Sequence, residues 1–335
     1  MEAALTRFRR PGWRTVVAWL VALPWLLWAF VRLFGLEWGY PLVPLISYTP
    51  YAAVASVLPV AVALILRRPA PAIAAAMAGV LLAGLVFPRV TGGGERPEAN
   101  DVTLRVVSAN IYRGRADMRE LMEIVRETDA DLLSIQELSP EVVKELDRLG
   151  LRRLLPYRAQ VVAGDYFGGG LFSRFPMREL EPVRTPPRIQ ATGELLSMPR
   201  AIVVVPRAPP VDVVAAHPYP PMDGHVGTWE DALEVLPAAG KGPRGLLIGD
   251  FNATLDHDGF RDLLDAGYRD AGEVTGEGLT PTWKAGSVIP PPVTIDHVLA
   301  DERMGIGDYE VHDLPGSDHE ALSATLFLQA RGRVR

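Results

Sequence analysis

The chain has 335 residues, 48% of them hydrophobic and 22% charged, with a net charge of −6 and no cysteine. That length suits two domains, or one large domain with an appendage, and the absence of cysteine excludes disulfides and thiolate chemistry. Charge is divided unevenly: residues 1–100 carry nine arginines against four glutamates, or +5, which leaves −11 for the remainder, and so acidic a C-terminal part argues against a nucleic-acid binder built on phosphate contacts.

Residues 1–14 are short and basic, and charge-free stretches follow at 15–31, 38–66 and 69–88. About 20 apolar residues cross the ~30 Å of bilayer hydrocarbon. The pattern therefore predicts three transmembrane helices, at roughly residues 15–34, 41–66 and 69–88, within an N-terminal region of residues 1–90. A cleaved signal peptide would have a shorter apolar part and no further spans directly behind it. Arg7, Arg9, Arg10 and Arg14 precede the first span, and Arg67 and Arg68 lie between the second and third. By the positive-inside rule both clusters are cytoplasmic, so the expectation is a multi-pass cell-membrane protein with everything after Arg89 outside the cell. Pro24, Pro44, Pro50 and Pro59 are expected to kink the helices. The spans hold no Asp, Glu, Lys or His, which points to anchoring in the bilayer rather than to an ion path.

Residues 91–101 read as a polar linker containing Gly and Pro, residues 102–328 as a folded domain, and 329–335 as a basic tail. Apolar runs predict strands at 104–109, 132–135, 171–173, 201–205, 211–216, 246–248, 295–299 and 322–327; apolar residues at helical spacing predict helices at 118–128, 140–149, 229–236 and 260–266. Strands mixed with helices and many short turns suit a mixed α/β sandwich better than a pure βαβ array.

The stretch LLIGDFNAT, residues 246–254, ends an apolar strand at Gly249 and then presents Asp250 and Asn252. Alternation aims both to the same side. There a carboxylate can take a proton from water while an amide donates to a phosphate oxygen. The alternative for such a triplet is an Asx-turn closing a strand. Three other predicted strands also end in residues of catalytic type, Asn110, Glu137 and His217, and polar groups at strand ends on a rigid scaffold are a frequent way to build a site. Later candidates are Asp296-His297 and Ser317-Asp318-His319, with Asp296 able to pair with either His297 or His319. His225, His257 and His312 fall in no motif and read as structural or exposed.

Taken in order, VVSANIY, LLSIQELS, GLFSRFP, VVAAHPYPP, GDFNAT, TIDHVLA and GSDHEAL resemble the motifs of the endonuclease/exonuclease/phosphatase superfamily, from residue 102 to about 328. The resemblance implies a metal-dependent phosphoesterase on a two-sheet α/β sandwich of the DNase-I-like type. With its N-terminal spans the chain is similar in particular to the VanJ-type, teicoplanin-resistance-associated membrane phosphatases. The resemblance further implies that Glu137 binds Mg²⁺ or Mn²⁺, with Asn110 and Asp318 beside it. Asp250 would orient or deprotonate the attacking water and Asn252 would donate to the phosphate. His319, held by Asp296, would contact the phosphoryl group, and His217 would stabilise charge on the phosphate or the leaving oxygen. Arg174, Tyr219 and Trp283 are candidates for substrate contact, with packing or surface pairing the alternative for Arg174 and packing for Trp283. The Pro-Tyr-Pro-Pro turn after His217 departs from the leucine-containing continuation of the nuclease branch, and no basic loop interleaved with aromatics is present to grip a nucleic acid.

The expected function is extracytoplasmic phosphoester or pyrophosphate hydrolysis by a membrane-tethered enzyme acting on a phosphorylated lipid such as undecaprenyl pyrophosphate. The bilayer is its expected partner, with no nucleic acid, and no protein partner can be inferred. The alternatives are a surface-anchored nuclease and a non-catalytic, membrane-anchored binding protein.

Overall fold

The computed structural model describes residues 12–161, 168–186, 197–240, 242–286 and 289–330; Arg7, Arg9 and Arg10 of the basic N-terminus and residues 331–335 of the basic tail lie outside them. The chain divides into two compact units, Met1–Glu37 with Tyr48–Phe87, and Trp38–Ser47 with Pro88–Arg335.

In the first unit, α1 (Trp13–Phe34) runs unbroken through Pro24 and ends at Gly35, whose φ of 60° closes the helix with an N–H bond to Val31 O. The stretch expected as one span at 41–66 is not one helix. It is cut into α2 (Leu42–Ile46), which belongs to the second unit, α3 (Thr49–Ala55) and α4 (Val57–Ile65). The reason is local, because proline has no N–H to give the carbonyl four residues back. Pro50 leaves Ile46 O without its helical donor, and Pro59 leaves Ala55 O without one; those are the residues at which α2 and α3 end. α5 (Pro69–Val86) takes a proline in its first turn, where no donor is required. Among the described residues, two helical stretches, Trp13–Phe34 and Pro69–Val90, are therefore long and apolar enough to cross a membrane, and Thr49–Ile65 is a shorter apolar one, in place of three equivalent spans. Small residues let these helices approach: a Cβ on Gly79 would stand 2.2 Å from Ser56 Oγ, and Ala18, Ala63 and Ala72 share one buried cluster.

Among the described residues, the second unit contains two six-stranded sheets. In chain order its elements are β1 (Val102–Asn110), α6 (Met118–Glu127), β2 (Leu132–Gln136), α7 (Pro140–Leu149), α8 (Leu151–Leu154), β3 (Tyr157–Val161), β4 (Gly169–Ser173), β5 (Met177–Arg184), β6 (Ser197–Val203), β7 (Val211–Ala216), α9 (Val226–Glu234), β8 (Arg244–Asp250), α10 (Asp258–Asp265), β9 (Tyr268–Asp270), α11 (Ala271–Thr275), β10 (Asp296–Asp301), β11 (Gly305–His312) and β12 (Ala321–Leu328). One sheet runs β11-β12-β1-β2-β4-β3 and the other β5-β6-β7-β8-β10-β9. Each is built on a parallel pair, β1 with β2 and β7 with β8, flanked by antiparallel neighbours. The parallel pairs need crossovers, supplied by α6 and α9. Asp117 caps α6 by accepting from Arg119 N and Glu120 N, and Ser139 caps α7 by accepting from Val142 N.

Alternation along the strands sorts the side chains into three cores. Leu104 and Val106 of β1, Val211 and Val213 of β7, and Leu246 and Ile248 of β8 fill the seam between the sheets. Val107 and Ala109 pack with α6 and α7 on the outer face of the first sheet. Val214, Ala216 and Leu247 pack with α9 and α10 on the outer face of the second, where Val43 of α2 is also buried. The 91–101 stretch, expected as a linker, is seated on this unit: Gly93 N donates to Val274 O at 3.2 Å, Glu95 N to Ile306 O at 2.7 Å, and Glu95 pairs with Arg269.

Gly249, near the end of β8, leaves no room for a side chain. A Cβ there would lie 2.0 Å from Ala216 O and 2.9 Å from Gln136 Nε2. Gly249→Ala is expected to cost about 1–3 kcal/mol by overpacking, read as a fall in the thermal or denaturant midpoint of the purified protein.

Candidate active site

Five strands point a stripe of side chains into the seam, and each stripe turns polar at the same end. β1 gives Leu104, Val106, Ser108 and Asn110; β2 gives Leu132, Ser134 and Gln136; β7 gives Val211, Val213 and Ala215, with His217 next; β8 gives Leu246, Ile248 and Asp250; β10 begins at Asp296. Register fixes their level. Asn110 pairs with Gln136, Ala216 with Gly249, and Asp250 with Asp296. The carboxyl ends of four strands and the start of an antiparallel fifth thus meet at one end of the sandwich.

Asp250 is the centre, at 1% exposure. Its Oδ2 accepts from Asn110 Nδ2 at 3.0 Å and from Asn252 Nδ2 at 3.4 Å, while His319 Nε2 and His217 Nε2 stand 3.7 and 3.8 Å away. Its Oδ1 accepts from Asn252 N at 2.8 Å. The Asx-turn and the functional reading of this triplet are therefore both met, one by each oxygen. Asn110 is fully buried and joins the sheets, donating also to Glu137 Oε1 at 3.3 Å and accepting from Tyr112 N at 3.0 Å. Strict alternation would turn Glu137 toward the outer helices, but its backbone is left-handed, φ 59°, which redirects the side chain. Asn252, at φ 48°, is turned in the same way and donates to Pro218 O at 3.1 Å.

Of the two partners open to Asp296, the structure selects His319, whose Nδ1 lies 2.9 Å from Asp296 Oδ2. His297, one residue along β10, points through the opposite face to Asp270, at 2.8 Å, and to Ala253 O, at 2.9 Å. The two site histidines carry different charges. Burial pushes His217 down to about 4, helped by the nearby His319. Burial acts on His319 in the same direction but is outweighed by Asp296 and Asp250, which raise it to about 10. Burial pushes Asp250 up to about 7, against the pull of His319. Glu137 is raised as well, first by burial.

Sequence reasoning missed Thr282 and Gln136, both fully buried. Thr282 Oγ1 donates to Asp296 Oδ2 at 2.7 Å and accepts from Asp296 N at 3.0 Å, which fixes the carboxylate that holds His319. Gln136 Nε2 donates to Ser134 Oγ at 2.8 Å, and Ser134 Oγ donates across the seam to Ile248 O at 3.1 Å. Thr282 lies in no predicted strand or helix, and Gln136, at the end of its strand, stands beside the acid Glu137, which sequence reasoning favours. Ser317 Oγ donates to Asn110 O at 2.8 Å and accepts from His319 N at 3.1 Å, tying the last motif to the first.

Arg174 is not at the site. Ser173 pairs with Leu132, at the start of β2, whereas Glu137 follows its far end; Arg174 instead pairs with Asp129 at 2.6 Å and donates to Ala130 O at 3.0 Å. Trp283 borders the site, its Nε1 donating to Asp318 Oδ2 at 3.3 Å. Tyr219 follows His217 by two residues and tilts onto His225, ring centroids 4.5 Å apart. His257 is buried, and His312 pairs with Ser323 at 2.8 Å.

The donor set fits a hard cation. Glu137, Asp250, Asp296 and Asp318 all lie within electrostatic reach of His319. Glu137 Oε2 and Asp318 Oδ1 are buried without any hydrogen-bond donor, and the nearest cation to the former is Arg113 Nε, 4.0 Å away. Asp250, Asp296 and His319 also offer ligand atoms within 4.8 Å of one another. Asp296 and His319 are bonded to each other and Asp250 accepts from Asn110 and Asn252, so the oxygens of Glu137 and Asp318 are the freer ligands for Mg²⁺ or Mn²⁺.

The chain matches the model of the Endonuclease/Exonuclease/phosphatase family over residues 107–319. Its structure is similar to an endonuclease/exonuclease/phosphatase from Beutenbergia cavernae DSM 12333, with TM-score 0.53 and 20% identity, covering 68% of this chain and 72% of that one. Humanized D. rerio TDP2 carrying 14 mutations gives TM-score 0.53 and 17% identity over 67% of this chain and 98% of that one. D. rerio TDP2 complexed with single-strand DNA product gives the same score and identity over 68% and 99%. At such identities the likeness is one of fold. No curated protein sequence matches the chain significantly.

A cation at Glu137 and Asp318 predicts a metal-dependent stability. Saturating Mg²⁺ or Mn²⁺, at about 100 times its dissociation constant, is expected to stabilise the fold by about 2.7 kcal/mol, seen as a rise in melting temperature that Glu137→Gln abolishes.

Proposed function

The chain belongs to the endonuclease/exonuclease/phosphatase family, and from that premise we propose that it is a divalent-metal-dependent phosphoesterase, held at the outer face of a membrane and acting on a lipid-linked phosphate or pyrophosphate. The observation that carries the chemistry is the Asp250 carboxylate, set among Asn110, Asn252, His217 and His319 with one imidazole neutral and the other charged.

Asp250 orients the attacking water and takes its proton, and burial brings its pKa close to neutral pH, where a general base works best. His319 is held protonated by Asp296 and donates to a phosphoryl oxygen as charge develops there. His217, neutral, supplies a single N–H toward the leaving oxygen. Asn252 keeps its amide beside Asp250 and within reach of the phosphate. Glu137 and Asp318, with Asn110 alongside, would hold Mg²⁺ or Mn²⁺. That ion would neutralise phosphate charge and the repulsion among the four acids. Tyr219 and Trp283 would flank the bound substrate.

Support for membrane attachment comes from the two long apolar helices and the flanking Arg14, Arg67 and Arg68. The chain enters the second unit at Trp38 and again at Pro88, so the end of α1, the start of α3 and the end of α5 all adjoin it in sequence. Under the positive-inside rule this favours an extracytoplasmic domain. Tethering raises the effective concentration of membrane-borne substrate, which favours a lipid such as undecaprenyl pyrophosphate. A nuclease is the second reading. It takes its weight from the DNA product bound by a neighbour in fold, and the acidic balance of residues 101–335 weighs against it.

Phosphate release by full-length protein in detergent, from a polyprenyl pyrophosphate, a phospholipid and plasmid DNA, separates the readings. Turnover of the lipid pyrophosphate that EDTA abolishes supports the proposal; cleavage of DNA alone moves the chain to the nuclease reading. Asp250→Asn is expected to lower kcat by about 10²–10⁴. The pH profile has a sign set by two groups. Activity needs Asp250 ionised and His319 protonated, so kcat/KM should rise as pH passes about 7 and fall as it passes about 10. A profile lacking the low-pH limb would remove Asp250 from the role of base.

A further inference from the structure

Asn252 stands on a loop, residues 251–257, whose backbone is held at successive residues. Phe251 N donates to Ile295 O at 2.9 Å and Phe251 O accepts from Trp229 Nε1 at 3.1 Å. Ala253 O faces His297 Nε2 at 2.9 Å, and Thr254 N donates to His257 Nδ1 at 2.8 Å. All of these partners lie within the residues that match the family, 107–319.

Other partners lie outside that range, among them Ser47, whose Oγ stands 3.5 Å from His257 Nε2. Because His257 Nδ1 accepts from Thr254 N, the ring proton is on Nε2, and Nε2 donates to Val43 O of α2 at 3.1 Å. Arg89, three residues past the end of α5, meets Asp256 through two parallel bonds of 2.8 and 2.7 Å, with exposures of 3% and 0%. Val43 itself is fully buried in the core formed by Phe251, Ala253 and Leu255 of this loop. The far end of the loop that begins at Asp250 is thus anchored by the stretch between α1 and α3 and by the stretch that follows α5.

We propose that Val43 and Arg89 are positioning residues for catalysis: the segments flanking the apolar helices clamp the Asp256–His257 end of the loop and thereby hold Asn252 against Asp250. The family domain alone does not complete its own site. This rests on the phosphoesterase reading for its kinetic consequence but not for the clamp itself. A buried ion pair that loses one member leaves an uncompensated charge, which the loop relieves by moving. A shift of about 1 Å in a reacting group can cost about 10²-fold in rate.

The test uses full-length protein in detergent with Mg²⁺ and bis(p-nitrophenyl) phosphate. It compares Arg89→Met, Arg89→Met with Asp256→Leu, and His257→Asn, which keeps an acceptor for Thr254 N but gives up the bond to Val43. The double replacement substitutes an apolar pair for the ionic one and so guards against loss of folding. Well below the melting temperature, each is expected to lower kcat about tenfold or more with a smaller change in KM, and to speed amide exchange in 251–257 while leaving 132–136 unchanged. In an Asn252→Ala background the same replacements should add no further loss. Unchanged kcat per folded molecule, or losses that multiply with Asn252→Ala, would overturn the proposal. If the wild-type protein hydrolyses nothing, the functional reading fails, and exchange decides the clamp: faster exchange confined to 251–257 sustains it, and unaltered exchange rejects it.

Discussion

A carboxylate buried where two sheets meet is the constraint around which this site is built. Asp250 is almost inaccessible, and a buried charge is costly unless it is paired and hydrogen-bonded. The sheets meet that requirement jointly. Asn110 reaches across from β1, Asn252 closes back from the loop, and His319 and His217 stand beyond hydrogen-bond distance with their ring nitrogens facing the same oxygen. The close approach that brings Asn110 and Asp250 together also bears on Gly249, where a Cβ would lie 2.9 Å from Gln136 Nε2 across the seam, besides meeting Ala216 O of the neighbouring strand. The geometry of the candidate site and the packing of the seam are linked.

The histidines show how alternation and partners assign different work to one residue type. His319 faces Asp296 and Asp250 and stays charged; His217 has burial as its main influence and stays neutral. His297 follows Asp296 directly yet lies on the opposite face of β10, where burial lowers its pKa but Asp270 more than offsets this and raises it. His257 serves the backbone, joining Thr254 N to Val43 O. Two of the four touch the site, and the other two hold the loop that carries Asn252.

Legibility in the sequence followed burial. The strands found by apolar runs are the interior ones, β1, β2, β4, β6, β7, β8, β10 and β12. The four that were missed, β3, β5, β9 and β11, are the four edges of the two sheets. Edge strands carry polar residues because one of their sides faces water. β5 reads MRELEPVR and is mostly accessible, so no apolar run marks it. In the N-terminal region the apolar composition was legible, but the breaks at Ile46 and Ala55 depended on where Pro50 and Pro59 withdraw their donors.

The α/β class and the interior strands were legible from residue patterns alone, and Asn110, Glu137, His217, Asp250, Asn252, Asp296, Asp318 and His319 could be picked out as candidates because each stands at or near a strand end within an ordered motif. The fold was needed to show that Asp296 pairs with His319, that Arg174 lies at the other end of its sheet, that Thr282 holds Asp296, that Gln136 bonds Ser134 in the seam, and that Val43 and Arg89 bond the loop after Asp250. The difference is one of range. Periodicity and chain-end chemistry are local and can be read from neighbours in sequence. A hydrogen bond between residues 89 and 256, or between 110 and 250, depends on sheet register and on the spacing across the seam, which exist only once the whole unit has packed.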